Sequence, residues 1–260
     1  MQTTLVLGKG GYLGERIFQS IGEEAVFSEV DMIDLSALEE EISRLRPRRV
    51  VNAAGYAQTA EAEKPEHRNL AFQLNVQGPA NLVYLAHRYG FYLVHISTGM
   101  FFDGAGPTGN GWKEDDTPQP TNYYAWTKAW CDGELEPFTR SDRVLITRIH
   151  MPISKQSHPR NFLEKLRKFS SVVDEPQSLT VVEDYLSALN ELMRREATGV
   201  YHLVNPGRIT LYEIVIQMQK AGLIESERKI SKMTRLELDR LTAENGGAHQ
   251  TYPILNTDKL

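Results

Sequence analysis

A glycine-rich turn near the N-terminus constrains the fold of this chain more than any other feature. A short apolar run from Thr3 to Leu7 precedes Gly8-Lys-Gly-Gly-Tyr-Leu-Gly14, and a helical pattern begins at Glu15. A strand that turns on glycines directly into a helix is typical of a dinucleotide-binding unit, because the unpaired N–H groups of the helix N-terminus then face a phosphate. A plain structural turn is the alternative explanation for the glycines taken alone.

The glycines of this turn have separate predicted roles. Gly8 permits the tight turn, Gly11 lets the backbone approach a pyrophosphate, and Gly14 allows the helix to pack closely on the sheet. We therefore predict that the loop binds a dinucleotide through Gly8, Lys9, Gly10, Gly11, Tyr12, Leu13 and Gly14.

The segment after the predicted second strand, Ala25 to Phe27, bears on which cofactor is bound. Asp31, with Met32 beside it, is our candidate for contacting the adenosine ribose, whereas a basic residue there would favour a 2′-phosphate. Asp34 is a second carboxylate nearby, and its competing role is to cap the next helix. Lys9 is the nearby base that could reach a 2′-phosphate, so this segment leaves the choice between NADPH and NADH open.

Two further strands are predicted to end at the same edge of the sheet. The strand that starts at Arg49 ends in Ala53, Ala54 and Gly55, and small residues there let a cofactor lie against the backbone. The helix from Leu70 to Arg88 carries Asn75, which either bonds a neighbouring loop or is a solvated position. The strand from Phe91 to Ile96 delivers Ser97 and Thr98 to this edge, and His95 within it is predicted to be a core histidine.

Tyr124 and Lys128 are four residues apart in Tyr-Tyr-Ala-Trp-Thr-Lys, so on a helix they share one face. A lysine ammonium beside a phenol lowers the pKa of the phenol and prepares it for proton transfer with a substrate oxygen. Chance spacing on a surface helix is the alternative. The glycine loop and the Ser-Thr pair favour the catalytic interpretation.

We predict an α/β protein with a Rossmann-type doubly wound parallel sheet and a small C-terminal substrate-binding lid. The 260 residues, 41% of them hydrophobic, suffice for one sizeable core. Residues 1–150 are assigned to dinucleotide binding and 151–260 mainly to substrate binding, with 179–204 returning to the main sheet. The tail to Leu260 is polar and weakly patterned.

Composition excludes several classes of function. A net charge of −5 and a pI near 5.9 argue against nucleic-acid binding. The chain begins directly with a strand-like run and has no apolar run long enough for a membrane span, and its single cysteine, Cys131, fits a reducing compartment, so we expect a cytoplasmic protein. Seven scattered histidines with one cysteine predict no metal site.

In this order, the glycine loop, Asn-Ala-Ala-Gly at 52–55, Ser-Thr and Tyr-x-x-x-Lys resemble an extended short-chain dehydrogenase/reductase. Residues 94–104 are similar to dTDP-4-dehydrorhamnose reductases. The strongest likeness is to the nucleotide-rhamnose synthase/epimerase-reductase family, and it runs from about residue 3 to the last residue. It is carried by residues 112–118, 151–154, 159–162, 205–207 and 255–260.

The resemblance implies reduction of the C4 ketone of a UDP- or dTDP-linked 4-keto-6-deoxyhexose. Thr98, Tyr124 and Lys128 become the catalytic residues, and Met151 lies near the nicotinamide. Arg160 and Asn161 lie near the diphosphate of the sugar nucleotide, with surface exposure as the alternative for Arg160. The resemblance favours NADPH over NADH and is compatible with a homodimer.

Met100 departs from the family pattern. The bifunctional relatives have a cysteine at this position as a proton-abstracting base, and a thioether cannot serve as one. The partnering family lysine aligns with Lys165, which is either retained for a contact with the diphosphate or simply solvated. We therefore expect a reductase without 3,5-epimerase activity.

Other functions remain as alternatives to the reductase. They are a non-catalytic regulatory subunit of the same fold and a nucleotide-sugar 4-epimerase. A 4,6-dehydratase is disfavoured, because Gly99-Met100 stands where an Asp-Glu pair is expected.

Overall fold

The computed structural model describes residues 3–245 and 247–260, and its centre is a six-stranded parallel sheet in the order β2-β1-β3-β4-β5-β9. Its strands are β1 (Thr4–Leu7), β2 (Ala25–Phe27), β3 (Arg49–Asn52), β4 (Tyr92–Thr98), β5 (Val144–Ile149) and β9 (Gly199–His202). Successive strands are added on opposite sides of β1, so the predicted doubly wound sheet is confirmed. Ligands bind such sheets at the carboxyl ends of the strands, where the strand order reverses.

Helices cover both faces of this sheet. The helices are α1 (Tyr12–Ile21), α2 (Leu35–Leu45), α3 (Thr59–Ala62), α4 (Pro65–Phe72), α5 (Gly78–Tyr89), α6 (Tyr123–Leu135), α7 (Phe138–Ser141), α8 (Phe162–Leu166), α9 (Val182–Arg194), α10 (Leu211–Lys220) and α11 (Arg235–Glu244). α2, α5 and α6 pack on one face, and α1 and α9 pack on the other. All residues of β4 are buried, as expected for a strand covered on both sides. In the described part of the chain, no helix has the length and apolarity needed to cross a membrane.

The C-terminal part has its own small core. β6 (Pro152–Ile153), β8 (Gln177–Val181) and β10 (Asn205–Ile209) form one sheet, and β7 (Ser171–Val173) pairs with β11 (Ser231–Met233). Apolar residues of α8, β7 and α10 pack together beneath them. Thr210 and Glu213 form a capping box at the start of α10. α8 begins at Phe162, because the Asn161 side chain caps it there.

The segment expected to return to the main sheet does so in part. α9 packs on that sheet and β9 pairs with β5, whereas β8 belongs to the small three-stranded sheet. The division at residue 150 stays a prediction.

The tail is more ordered than its polar sequence indicated. It contains β11, α11 and a segment, Ala248–Leu255, that packs against the loop after β4. Thr251 Oγ1 donates to the Met100 carbonyl at 3.0 Å, and a Cβ built on Gly99 would lie 2.6 Å from Leu255 Cδ1. The weak pattern arose because contacts with a distant loop, rather than a helical or strand period, bury these residues.

A buried ion pair joins β5 to α6. Arg148 Nε lies 2.8 Å from Asp132 Oδ2, and the two side chains are 3% and 2% exposed. The Ser97 hydroxyl donates to the other carboxylate oxygen at 2.5 Å, and Arg148 Nη1 donates to the Glu114 carbonyl at 2.9 Å. The pair therefore connects β4, β5, α6 and the loop that follows β4.

Removing one partner of this pair should destabilise the fold strongly. Asp132→Ala leaves a buried guanidinium without its carboxylate, and we expect the free energy of unfolding to fall by about 3–5 kcal/mol. Urea denaturation followed by circular dichroism measures it. The matched control is Glu136→Ala, which removes the exposed pair with Arg140 at the end of α6 and should cost under about 1 kcal/mol. Equal losses in the two variants would contradict the special role of the buried pair.

Candidate active site

Thr98 and Tyr124 meet at the carboxyl edge of the main sheet. Thr98 is the last residue of β4, and Tyr124 lies in the first turn of α6. The side chain of Asn122 caps that helix by accepting from Ala125 N at 2.8 Å, which fixes where the first turn begins. The Thr98 side chain lies close enough to the Tyr124 phenol to lower its pKa. Met100 N donates to Thr98 Oγ1 at 3.1 Å, so the threonine hydroxyl proton is free to point towards the phenol or a ligand.

The phenol of Tyr124 is a weaker acid than its neighbour Lys128 led us to expect. Burial raises the pKa of Tyr124 to about 12, the hydrogen bond from Thr98 lowers it in part, and the charge of Asp132 adds to the rise. The prediction that Lys128 lowers this pKa is therefore wrong. The phenol stays protonated at physiological pH.

The ammonium group of Lys128 instead points towards the sheet. Its Nζ lies 3.2 Å from His95 Nε2 and 3.1 Å from the Ile96 carbonyl oxygen. His95 Nδ1 in turn lies 3.1 Å from Asn52 Nδ2, and Asn52 Oδ1 accepts from Ala54 N at 3.1 Å. Burial, and then the nearby Lys128 charge, hold the pKa of His95 well below its usual range, so the ring is neutral. His95 is buried as predicted, and it also contacts the candidate catalytic lysine.

Asn75 fixes the loop after β3. It lies in a single π-helical turn, Gln73–Gln77, between α4 and α5. Its Oδ1 accepts from Tyr56 N at 2.8 Å, and its Nδ2 donates to the Tyr56 carbonyl at 3.1 Å and to Thr127 Oγ1 at 2.9 Å. Of the two roles considered for Asn75, the structure shows the bond to a neighbouring loop.

The glycine loop has the geometry that a phosphate requires. Gly8 has a φ of 107°, and a Cβ there would lie 2.8 Å from the Ala53 carbonyl carbon. A Cβ on Gly14 would lie 2.2 Å from the Gly8 oxygen, so α1 packs directly on the loop. The N-cap residue is Gly11, which provides no side-chain acceptor for the N–H groups of the first turn. The loop and the helix start therefore fit a dinucleotide pyrophosphate.

The acid beside Lys9 is Glu29 rather than Asp31. Lys9 Nζ lies 2.7 Å from Glu29 Oε1, just past the end of β2. Asp31 Oδ1 accepts from Ile33 N at 3.1 Å within its own turn. Met32, a predicted cofactor contact, is 2% exposed and packs in the core below α5, so the structure does not bring it to the cofactor edge. Asp34 caps α2, which was its competing role.

The residues predicted to contact substrate have different surroundings in the structure. Arg160 Nη1 donates to the Gly10 carbonyl at 3.2 Å, so this arginine lies against the glycine loop. Asn161 is buried, and its Nδ2 donates to the Ser154 and Gln156 carbonyls at 2.7 and 2.9 Å. Lys165 is exposed on α8.

Two methionines lie near the predicted site. Met100 is half-buried next to Thr98, and Met151 adopts a φ of 44° just after β5 and packs on the C-terminal core. Met151 thus marks the point where the main sheet meets the C-terminal part.

Sequence reasoning missed Asn52, Glu29 and Thr251 as neighbours of the site. Asn52 could have been noticed as an amide inside an otherwise apolar buried strand, where it needs a partner. Glu29 is the first acid after β2 and was passed over for Asp31. No local pattern indicates Thr251, because a loop far away in sequence accepts its hydrogen bond.

Sequence comparisons agree with this geometry. A family model described as the RmlD substrate binding domain matches residues 1–235. A bifunctional dTDP-4-dehydrorhamnose 3,5-epimerase/dTDP-4-dehydrorhamnose reductase from Arabidopsis thaliana is 31% identical over 221 residues, covering 81% of this chain and 72% of that protein. A trifunctional UDP-glucose 4,6-dehydratase/UDP-4-keto-6-deoxy-D-glucose 3,5-epimerase/UDP-4-keto-L-rhamnose-reductase from the same plant is 30% identical, but this chain covers only 33% of it.

Solved structures show the same architecture. The L780 UDP-rhamnose synthase of Acanthamoeba polyphaga mimivirus has a TM-score of 0.90 at 25% identity, covering 100% of this chain and 92% of that one. The dTDP-4-dehydrorhamnose reductase of Bacillus anthracis has a TM-score of 0.82 at 23% identity, covering 100% and 91%, and supports the fold alone. With its match to residues 1–235, the chain belongs to the RmlD substrate-binding-domain family.

Proposed function

We propose that this protein is an NADPH-dependent oxidoreductase that reduces the C4 ketone of a nucleotide-linked 4-keto-6-deoxyhexose in rhamnose-type deoxysugar biosynthesis. The observation that carries the proposal is the placement of Thr98 and Tyr124 near each other at the carboxyl edge of a parallel sheet whose first turn is a glycine loop. The relatives named as dTDP- and UDP-4-keto sugar reductases support the substrate class.

The glycine loop and the first turn of α1 would hold the cofactor pyrophosphate, and Lys128 would hold the nicotinamide ribose. Bound NADPH supplies a hydride for the carbonyl carbon of the sugar. NADH remains the alternative cofactor. Residues 151–260 contribute mainly the surface that binds the sugar nucleotide, in which the sugar is linked to UDP or dTDP.

The chain's own residues supply the proton and the polarisation. The Thr98 hydroxyl donates a hydrogen bond to the ketone oxygen while its own oxygen is held by Met100 N. Tyr124 transfers its phenolic proton to the alkoxide that forms at C4. Because its pKa is about 12, Tyr124 keeps the proton until an alkoxide, a stronger base than the phenolate, is present. The neutral His95 ring packs against the Lys128 ammonium, and the Ile96 carbonyl accepts from that ammonium and holds it in place.

Replacing the phenol should abolish most of the activity and leave the fold intact. We expect Tyr124→Phe to slow single-turnover hydride transfer by on the order of 10²-fold or more, as for the loss of a general acid, with unchanged NADPH affinity. Stopped-flow absorbance of NADPH measures the rate.

Tyr123→Phe is the matched control for this experiment. The Tyr123 hydroxyl donates to the Arg68 carbonyl at 3.2 Å, away from Thr98, so this variant should react at the wild-type rate. A Tyr124→Phe variant as fast as Tyr123→Phe would remove Tyr124 from the mechanism.

Met100 predicts that the protein does not epimerise its substrate. Without a titratable side chain at this position, no proton is abstracted at C3 or C5 of the sugar. Burial raises the pKa of Cys131 to about 12, so that thiol does not replace the missing base. Incubating enzyme and 4-keto sugar in D₂O without reduced cofactor should leave C3 and C5 unlabelled by mass spectrometry.

Met100→Cys provides the positive control, because it restores the base that the resemblance implies. Labelling in this variant but not in the wild-type protein is the expected result. Deuterium entering the wild-type reaction as fast as reduction would show the interpretation of Met100 to be wrong.

Lys9 should determine the preference for NADPH. A 2′-phosphate offers Lys9 a more highly charged partner than Glu29, so Lys9→Ala should lower the ratio of NADPH to NADH affinity, measured by calorimetry. Lys232→Ala, which removes another exposed lysine paired with an acid, should leave the ratio unchanged. A constant ratio in Lys9→Ala would show that Lys9 does not contact the 2′-phosphate.

We also propose that the protein is a homodimer and is located in the cytoplasm. Phe72, Trp126 and Trp130 form an aromatic patch on α4 and α6, where Trp126 and Trp130 are 37% and 44% exposed. Clustered exposed aromatic side chains of this kind support a contact between two copies. The free, buried Cys131 supports a reducing compartment.

A further inference from the structure

A segment from the C-terminal part lies across the glycine loop. We define it as the 154–161 segment, after its first and last residues, Ser154 and Asn161. Its Arg160 donates through Nη1 to the Gly10 carbonyl at 3.2 Å, a contact between residues 150 positions apart. Its His158 ring stacks on the Tyr12 ring with a centroid distance of 4.9 Å. Both contacts are made with the loop that faces the pyrophosphate.

The segment holds Arg160 in this position by internal bonds. Arg160 N donates to His158 Nδ1 at 3.1 Å, so the stacked histidine also anchors the arginine backbone. The buried Asn161 side chain bonds the Ser154 and Gln156 carbonyls and closes the base of the segment. The guanidinium is therefore carried to the loop on a fixed turn.

A negative charge beside the glycine loop disfavours a phosphate there unless a cation such as Arg160 is near. Glu15 Oε1 accepts from Gly10 N at 2.8 Å, which places a carboxylate beside the phosphate-facing backbone. Lys9 pairs with Glu29 and is assigned to the 2′-phosphate, and Arg16 is directed to Ser154 Oγ at 3.3 Å. A pyrophosphate entering this loop would be repelled by the Glu15 carboxylate. The Arg160 guanidinium, which contacts the same residue, Gly10, offsets that repulsion.

We propose that Arg160 binds the pyrophosphate of the dinucleotide cofactor, rather than the diphosphate of the sugar nucleotide. The contact with Gly10 uses one of the N–H donors of Arg160 and leaves others for phosphate oxygens. The inference rests on the proposed function, because it assumes that the glycine loop holds a dinucleotide. It makes the 154–161 segment a second wall of the cofactor site, supplied by the part of the chain that also binds substrate.

Cofactor binding to Arg160→Ala tests the proposal directly. We expect the Kd for NADPH and the Kd for NADH to rise by about tenfold each, because the pyrophosphate is common to both. Arg160→Lys should lose less, since it keeps the charge but not the planar fork. The rise should shrink as salt is added, because Arg160 is exposed. Calorimetry without substrate gives these constants independently of turnover.

Two further variants separate a direct contact from a general loss of charge. Arg167→Ala removes an exposed arginine that pairs with Glu164 instead of the glycine loop, and it should bind both cofactors like the wild-type protein. His158→Ala removes the stacking on Tyr12 without touching the guanidinium, and it should reproduce part of the loss.

Titration with UDP and dTDP distinguishes the alternatives. Unchanged cofactor affinity with weaker UDP or dTDP binding in Arg160→Ala would return this arginine to the substrate diphosphate and overturn the proposal. A loss for NADPH without a loss for NADH would also overturn it, because it would indicate a 2′-phosphate contact. If the wild-type protein binds neither cofactor, the proposed function itself fails. If the wild-type protein binds both cofactors and Arg160→Ala binds them equally well, only the proposed role of Arg160 is overturned.

Discussion

The buried ion pair between Arg148 and Asp132 is the interaction on which the geometry of the site depends. Asp132 holds the hydroxyl of Ser97, the residue before Thr98, and its negative charge contributes to the raised pKa of Tyr124. Arg148 bonds the Glu114 carbonyl in the loop that follows the site strand. Two charges removed from water must satisfy each other and their remaining hydrogen-bonding positions. These bonds therefore fix the positions of β4, β5 and α6 relative to one another.

A second set of buried polar contacts positions Lys128, the proposed catalytic lysine. The run from the Ala54 N–H through Asn52 and His95 to Lys128 connects the end of β3 with α6. A neutral histidine suits this position, since a charged ring would put two cations 3.2 Å apart. The lysine is thus fixed by groups below it in the sheet rather than by the phenol one turn away. The tyrosine keeps its proton as a consequence of burial.

The C-terminal part packs against both proposed ligand sites. Its tail packs on the loop beside Thr98 through Thr251 and Leu255, and the 154–161 segment reaches the glycine loop through Arg160. A small module with its own apolar core can therefore bring substrate contacts and cofactor contacts together. This coupling follows from its attachment to the main sheet through β9 and α9.

The sequence by itself determined those features that depend on neighbours in the chain. The strand-glycine-helix turn, the caps at Asp34 and Thr210, and the placement of Thr98 at a strand end were predictable, because backbone hydrogen bonds and steric limits act within a few residues. Only the tertiary structure decided where the Lys128 ammonium points, that Arg160 meets Gly10, and that Thr251 and Leu255 of the polar tail are buried. Those outcomes depend on strand order and on packing between segments far apart in sequence, which local pattern does not record.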